Sequence, residues 1–331
     1  MTRKVAFCVV SWNNASVLGE CLDSLLAQTG VTCDIYLIDN GSTDDTRALL
    51  ARYPTVHVTW SDVNNGFARG NNILIQQALR DPDVYYIALV NSDAVLGTNW
   101  ATTLVDFAEQ RTHVGALQGL TLDYFDHSRV DSQHIFVNGR LQGQQFGYGD
   151  TALPANQYYP RKVFGVNAAA CIYTRAMIEA LPDRQHGFFD ERFFMFYEDV
   201  DVSFRSLICG WDSWFVPSAI AYHMGSVSAK KRSSDYSPRM VARNLPAMIY
   251  KNAPWQMIVS CFGAACQGML LWLRDIARMH GWRAAARTAT SLVQGLGRLP
   301  AYQLSRRRIQ SARVIGANYL QHIVNSDGIL G

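Results

Sequence analysis

Four side chains stand at positions where they could do chemistry. Asp93 follows the apolar run Tyr85 to Val90 in the triplet Asn91-Ser92-Asp93. One carboxylate, with an amide oxygen from Asn91 or a water bridging to it, suffices to hold Mg2+ or Mn2+ against the oxygens of a diphosphate. The same triplet also makes an ordinary turn or the cap of a following helix. Asp199 lies in Glu198-Asp199-Val200-Asp201, behind Phe188, Phe189, Phe193, Phe194, Phe196 and Tyr197. An apolar collar limits hydration, and a carboxylate so placed is held near the pKa that a general base needs. Three acids at a helix start also complement the helix dipole without any further role. Residues two apart on a helix point in different directions, so Asp199 and Asp201 are not expected to share one task. Asp39, in Asp39-Asn40-Gly41, can bond a ribose hydroxyl or a base edge, or simply open a turn. His223 can reach a metal or a diphosphate, or serve as a structural hydrogen-bonder.

These residues need a scaffold that brings them together. Val5 to Val10, Ile35 to Ile38, Val56 to Trp60 and Tyr85 to Val90 are short runs, apolar almost throughout, and helical patterns of ten or more residues separate them. Such spacing predicts a largely parallel sheet covered on both faces by helices. Each polar cluster falls at the C-terminal end of a strand, where open α/β sheets bind their ligands. Ser42, with Asp45 three residues on, is the expected cap of the second helix. A helix is expected from Asn99 to Glu109, then loops and short antiparallel strands from about Gly119 to Lys162. Apolar character returns from Val163 to Tyr173, a short helix runs from Met177 to Leu181, and Val200, Phe204, Leu207 and Ile208 form one helical face. Trp214 to Val216 reads as a last short strand before His223 and the basic loop Lys230-Lys231-Arg232. No GxGxxG or GxxxxGK[ST] follows any strand, which argues against a dinucleotide dehydrogenase and a P-loop kinase.

The chain has 331 residues, 49% of them apolar and 17% charged, enough for a full α/β core and a smaller appended unit. Its net charge of +3 is unevenly spread: residues 240–331 hold eleven Lys or Arg against two Asp, and the rest holds nineteen against twenty-five acids. We therefore expect a body over residues 1–250, with a nucleotide half to about 118 and a second half from 119, and a basic helical tail over 251–331. The run Asn252 to Leu273 carries no charge and is long enough to span a bilayer, but its Pro254, Gln256, Ser260, Gln267 and glycines suit an interfacial or packed helix equally. Arg274, Arg278, Arg283 and Arg287, with Trp272 and Trp282 among them, suit anionic headgroups, and Arg306-Arg307-Arg308 add to the charge. So apolar a tail fits a membrane or a homodimer face better than nucleic acid. The seven cysteines form no CxxC pair, as expected of free thiols in a reducing compartment. Val5 to Val10 reads as a first strand, without the cleavage site of a signal peptide.

Taken in order, Ser11-Trp12-Asn13, Ile38-Asp39-Asn40-Gly41-Ser42-Thr43-Asp44, Asn64-Asn65-Gly66-Phe67-Ala68-Arg69-Gly70-Asn71-Asn72, Asn91-Ser92-Asp93 and Phe194-Met195-Phe196-Tyr197-Glu198-Asp199-Val200-Asp201 resemble glycosyltransferase family 2, especially its bacterial rhamnosyltransferase-like branch. The likeness covers residues 4 to 253. It implies a GT-A nucleotide-diphosphosugar transferase fold, an α/β domain with a mostly parallel sheet and a C-terminal helical extension. It implies that Ser11, Asn13 and Asp39 hold the nucleoside, and that Asn65, Gly66, Asn71, Asn91 and Ser92 complete the nucleotide-sugar site. Asp93 would carry Mg2+ or Mn2+, His223 would touch the leaving diphosphate, Asp199 would be the general base, and Arg243-Asn244 would lie close by. The metal motif of the family is often Asp-x-Asp; here Asn91 stands in the first place, as in similar chains of that branch. The resemblance further implies inversion at the anomeric carbon, with dTDP-rhamnose the leading donor ahead of UDP-galactofuranose or a UDP-hexose. The acceptor would be a saccharide or lipid-linked saccharide in bacterial surface polysaccharide synthesis, met at the inner face of the plasma membrane by a cytoplasmic, peripheral protein. Two other readings are a sugar nucleotidyltransferase, which would open with a Gly-rich basic loop where Trp12-Asn13-Asn14 stands, and a sugar-binding module that has lost its metal.

Overall fold

The computed structural model describes residues 4–154, 157–225 and 233–330; the loop Lys230-Lys231-Arg232 and Ser226 lie outside the described residues. Strands Lys4–Ser11 (β1), Thr32–Asn40 (β2), His57–Ser61 (β3) and Val84–Val90 (β4) pair in the order β3-β2-β1-β4, all parallel. Helices Ala15–Leu26 (α1), Thr46–Leu50 (α2) and Gly66–Ala78 (α3) connect them. Alternate residues of β1 serve different cores: Val5, Phe7 and Val9 pack with α1 on one face, and Ala6 and Cys8 with α3 on the other. That two-sided burial is why the strand reads as an unbroken apolar run.

The second half departs from a parallel arrangement. Ala94–Leu96 (β5), Trp100–Glu109 (α4), Val114–Asp123 (β6), Val130–Ser132 (β7), His134–Val137 (β8), Gly143–Phe146 (β9), Arg161–Val163 (β10), Ala170–Thr174 (β11), Arg175–Ala180 (α5), Glu198–Ile208 (α6) and Asp212–His223 (β12) follow. β11 inserts antiparallel between β4 and β6, β12 lies parallel to β6, and β10 closes that edge antiparallel to β12. The sheet is therefore mixed. Because β11 runs against β4, its N-terminal approach meets the C-terminal end of β4, and the Asn91 N–H donates to the Ala169 carbonyl at 2.8 Å.

Two local expectations need correction. The last strand is not confined to Trp214–Val216: β12 pairs with β6 up to Phe215, breaks register around Pro217, and resumes from Ile220 to His223. Proline has no N–H for the ladder, so the periodicity is interrupted although the strand is not. His223 is accordingly the end of a strand, not part of a loop after one. Ser42 does not cap α2, which starts at Thr46; its Oγ accepts the Asn13 N–H at 2.8 Å, and Asp44 Oδ1 accepts the Thr46 N–H at 3.1 Å.

Helices Tyr236–Asn252 (α7), Trp255–His280 (α8), Trp282–Gly297 (α9), Gln303–Ser311 (α10) and Ala317–Asn325 (α11) complete the chain. Contacts cross the expected boundary at residue 250. Lys251 and Asn252 are buried against Asp201, and Tyr302, Ile309, Leu320 and Ile323 share one apolar cluster with Phe193, Phe204 and Leu245. Leu330 donates its N–H to the Lys162 carbonyl beside β10.

Candidate active site

One cleft of about 490 Å3 opens where the C-terminal ends of β1, β4 and β12 meet the approach to β11 and the start of α6. Asn91, Ser92, Asp93, Gly66, Asp199 and His223 all line it, together with Trp12, Asn167 and the segment Phe194 to Tyr197. Residues separated by well over a hundred positions thus meet in a single cavity.

On the β4 side Asp93 is buried, and His223 Nε2 lies 3.3 Å from Asp93 Oδ1 and 3.3 Å from Asn91 Nδ2. The other ring nitrogen, Nδ1, lies 3.2 Å from Oδ2 of buried Asp131 at the centre of β7. Burial lowers the His223 pKa, but hydrogen bonds to Asp131 and Asp93 and their charges outweigh it and raise it to about 10. Ser92 Oγ accepts the Asn14 amide at 2.7 Å, which ties the Asn91-Ser92-Asp93 turn to the start of α1. Asp93 gives this cavity wall one carboxylate, and His223, charged at that pKa and steadied from behind by Asp131, stands beside it, an arrangement in which a divalent cation on Asp93 and the imidazolium would share the charge of a diphosphate. Among the described residues no group of three or more His, Cys, Asp or Glu is arranged to hold a metal, so phosphate and water oxygens would fill the remaining positions.

On the α6 side Asp199 is partly buried; its Oδ1 accepts the Val200 N–H at 2.8 Å and its Oδ2 the Ala168 N–H at 3.5 Å. Burial raises its pKa, and these two N–H groups limit the rise. Neighbouring Glu198 is buried with no hydrogen-bond partner for Oε2 among the described residues, and burial, then the charge of Asp199, lifts its pKa well above the ordinary range. Burial thus pushes both neighbouring carboxyls toward the protonated form. Asp201 faces elsewhere, into a buried network in which Oδ2 pairs with Arg205 at 3.0 Å and Oδ1 with Lys251 at 3.0 Å.

The loop before α6 is held in an unusual shape. Phe194, Phe196 and Tyr197 have φ of 68°, 66° and 74°, a region costly for large side chains. Buried Asn244 donates to the carbonyls of Phe193, Met195 and Phe196 at 3.0, 2.9 and 2.8 Å, and Arg243 donates to that of Phe193 at 2.7 Å. The loop rests on Gly66, at φ +75°, where a Cβ would lie 2.5 Å from the Phe194 carbonyl oxygen.

Ser11, Asn13, Asp39, Asn65 and Asn71 are not among the residues that line the cleft. Ser11 and Asp39 face each other across β1 and β2, Asp39 Oδ1 accepts the Ser42 N–H at 3.3 Å, and Asn13 Oδ1 accepts the Thr43 N–H at 2.7 Å. Asn65 donates to Ser61 Oγ at 2.8 Å. These four form a rim at the ends of β1 to β3. Asn71 is turned inward, its amide held by the Phe67 carbonyl one turn back at 3.0 Å, so its side chain serves α3. Asp131 and Asn167 were missed from sequence, because Asp131 lies in an irregular stretch and Asn167 is a single amide inside an apolar run, neither with a motif.

The chain's likenesses agree with this architecture. The pattern of glycosyl transferase family 2 matches residues 6–180, from the first strand to the end of α5. The N-acetylglucosaminyl-diphospho-decaprenol L-rhamnosyltransferase of Mycobacterium tuberculosis is 30% identical over 240 residues, 67% of this chain and 76% of that protein. Among solved structures, a mannosyltransferase of Pyrobaculum calidifontis in complex with GDP-Man and Mn2+ has a TM-score of 0.52 at 17% identity, covering 94% of this chain and 86% of the other. S. aureus TarS gives 0.58 at 13% identity, covering 97% and 55%. At those identities the two structures speak for the fold alone, which is GT-A. With the family pattern running through more than half of the chain and a relative matched over two thirds of it, this protein belongs to glycosyl transferase family 2 and is a glycosyltransferase.

Proposed function

We propose that this enzyme is an inverting, metal-dependent transferase that moves rhamnose from dTDP-rhamnose to a hydroxyl of a saccharide or lipid-linked acceptor in building a bacterial surface polysaccharide. The observation that carries the reading is that Asp199 and the Asp93–His223 pair line the same cleft. Asp199 takes the proton of the acceptor hydroxyl as its oxygen attacks C1 of the donor, and the nucleoside diphosphate leaves from the opposite face, so that no covalent sugar intermediate is needed. Mg2+ or Mn2+ held by Asp93, with His223 beside it, would neutralise charge on the departing diphosphate. Ser11, Asn13, Asp39 and Asn65 hold the nucleoside at the rim, and Asn91 and Ser92 keep the turn in place. The rhamnose donor and lipid-linked acceptor draw support from the L-rhamnosyltransferase activity of the mycobacterial relative on a diphospho-decaprenol acceptor, and the metal from the Mn2+ bound by the P. calidifontis enzyme.

Asp199→Asn is expected to lower transfer by about 10²–10⁴ while nucleotide binding and folding persist. Because burial raises the Asp199 pKa and the base acts ionised, kcat of the wild type should fall on acidification with a midpoint above the roughly 3.9 of a free aspartate. A variant that keeps near-normal kcat removes Asp199 from this role. Turnover of dTDP-rhamnose, compared with UDP-hexoses with and without Mn2+, tests the donor, and no turnover of any nucleotide sugar would favour a binding module.

A further inference from the structure

The described residues include one helix long and apolar enough to cross a membrane, α8. One of its faces is packed on protein. Met257, Cys261 and Ile276 are buried, the first two in the cluster that holds Tyr302 and Leu320, and a Cβ on Gly268 would lie 2.7 Å from Cδ of Arg140 on the β8–β9 turn. One face of α8 is thus committed to protein along most of its length. The other face carries Trp255, Val259, Phe262 and Leu270, which are 56%, 72%, 64% and 70% exposed, with exposed Cys266 between them. Spacings of three and four residues place these five on one stripe, roughly 22 Å long at 1.5 Å per residue.

Arginines bracket the stripe. One and two turns beyond Leu270 come exposed Arg274 and Arg278. At the head, Trp255 borders a cavity of about 400 Å3 that Arg306, Arg307 and Arg313 also line, and the Arg306 guanidinium stands 4.2 Å from the Trp255 ring centre. The expected basic series is divided by the fold: Arg287 is bound to Asp235 at 2.6 Å, Arg308 to Gln185 at 2.6 Å, and Arg306 to the Ala253 carbonyl at 2.9 Å. Arg283 and Arg307 stay on the exposed surface, as do Arg274 and Arg278, which share the exposed Asp275 at 3.1 and 3.8 Å. Exposed Trp282 and Val293 extend the apolar surface onto α9.

We propose that the Trp255–Leu270 stripe of α8, bracketed by these arginines, seats the enzyme flat on an anionic bilayer, with the helix in the interface plane and the arginine-lined cavity receiving a lipid phosphate. An apolar face with basic ends is the form of an interfacial helix, and charge complementarity selects an anionic lipid surface as its occupant. Each engaged arginine contributes about fivefold to partitioning. The inference is independent of the donor and of the catalytic residues.

The test is co-sedimentation of the full chain with phosphatidylglycerol-containing vesicles and with neutral phosphatidylcholine vesicles, at low and high salt. Wild type, Val259→Glu/Phe262→Glu and Arg307→Glu are compared, with folding checked by circular dichroism and donor turnover measured in solution. Wild type should sediment with anionic vesicles and be largely released by salt. The double variant should lose at least tenfold in partitioning, Arg307→Glu several-fold, and donor turnover should be unchanged in both. A wild type that stays in the supernatant with anionic vesicles at low salt overturns the proposal, as does a folded double variant that sediments like wild type. Retention through a high-salt wash on neutral vesicles would mean a spanning helix and also overturns it. So does a wild-type dimer that the double variant makes monomeric without any vesicle binding, which assigns the stripe to a second copy.

Discussion

With Nδ1 of His223 held by Asp131 at 3.2 Å, the Nε2 edge of the ring is directed at Asp93 and Asn91. A histidine beside a metal depends on such a partner for its orientation. Asp131→Asn should therefore lower Mn2+-dependent binding of a nucleoside diphosphate about 10–100-fold and leave metal-free binding unchanged, as read by calorimetry with and without Mn2+. Asp93→Ala should make binding insensitive to the metal altogether. Equal losses without metal would mean that Asp131 supports only the fold. Asp93, Asp199 and His223 were legible as chemical residues because each sits beside a recognisable run. Asp131, ninety-two positions from His223, has no local signal at all.

Two elements hold the cleft in shape: the loop from Phe193 to Tyr197 and the ion network behind α6. Gly66 lets the loop approach α3, so Gly66→Ala should destabilise the protein by more than about 1 kcal/mol in thermal denaturation and weaken nucleotide binding, since its Cβ cannot avoid the Phe194 backbone. In the network, Lys251 Nζ lies 2.6 Å from Asp190 and 3.0 Å from Asp201, and all three are buried. Lys251→Met leaves Asp190 with Arg192 and Asp201 with Arg205 as their remaining cations and should cost up to about 3–5 kcal/mol in denaturant titration. Burial alone would raise the Asp190 pKa, but Lys251 and Arg192 hold it well below the usual carboxylate range. With the folded pKa depressed, its contribution is fully present above about pH 4 and is lost as pH falls further. The variant should show a smaller acid-induced loss than wild type.

At the scale of the molecule, the C-terminal helices are part of the core. Tyr302, Ile309, Leu320 and Ile323 cover Phe193, Phe204, Leu245 and Met248, and Arg192 donates to the Ala301 carbonyl at 2.9 Å. A chain ended after Ala253 uncovers that cluster beside the loop from Phe193 to Tyr197. It should lose its cooperative thermal transition and aggregate on size exclusion, while donor binding disappears with it. A monomeric, cooperatively folding truncate would show that residues 254–331 are dispensable for the fold.

Sequence by itself determined what depends on local period and local chemistry. Apolar runs of four to six residues gave away β1 to β4, and β1 and β4, buried on both faces, keep no polar alternation. The polar ends of those runs marked where the cleft opens and made Asp93 visible there, and Asp199 stood out in an acid cluster behind six aromatic residues. Tertiary structure decided whatever required two distant segments to meet. The antiparallel entry of β11 beside β4, the passage of β12 through Pro217, the pairing of His223 with Asp131 and the closing of the C-terminal helices over α6 and α7 arise from long-range packing. So does the exposed stripe of α8: composition reveals an apolar helix, but only its neighbours determine which face they cover and which they leave to solvent.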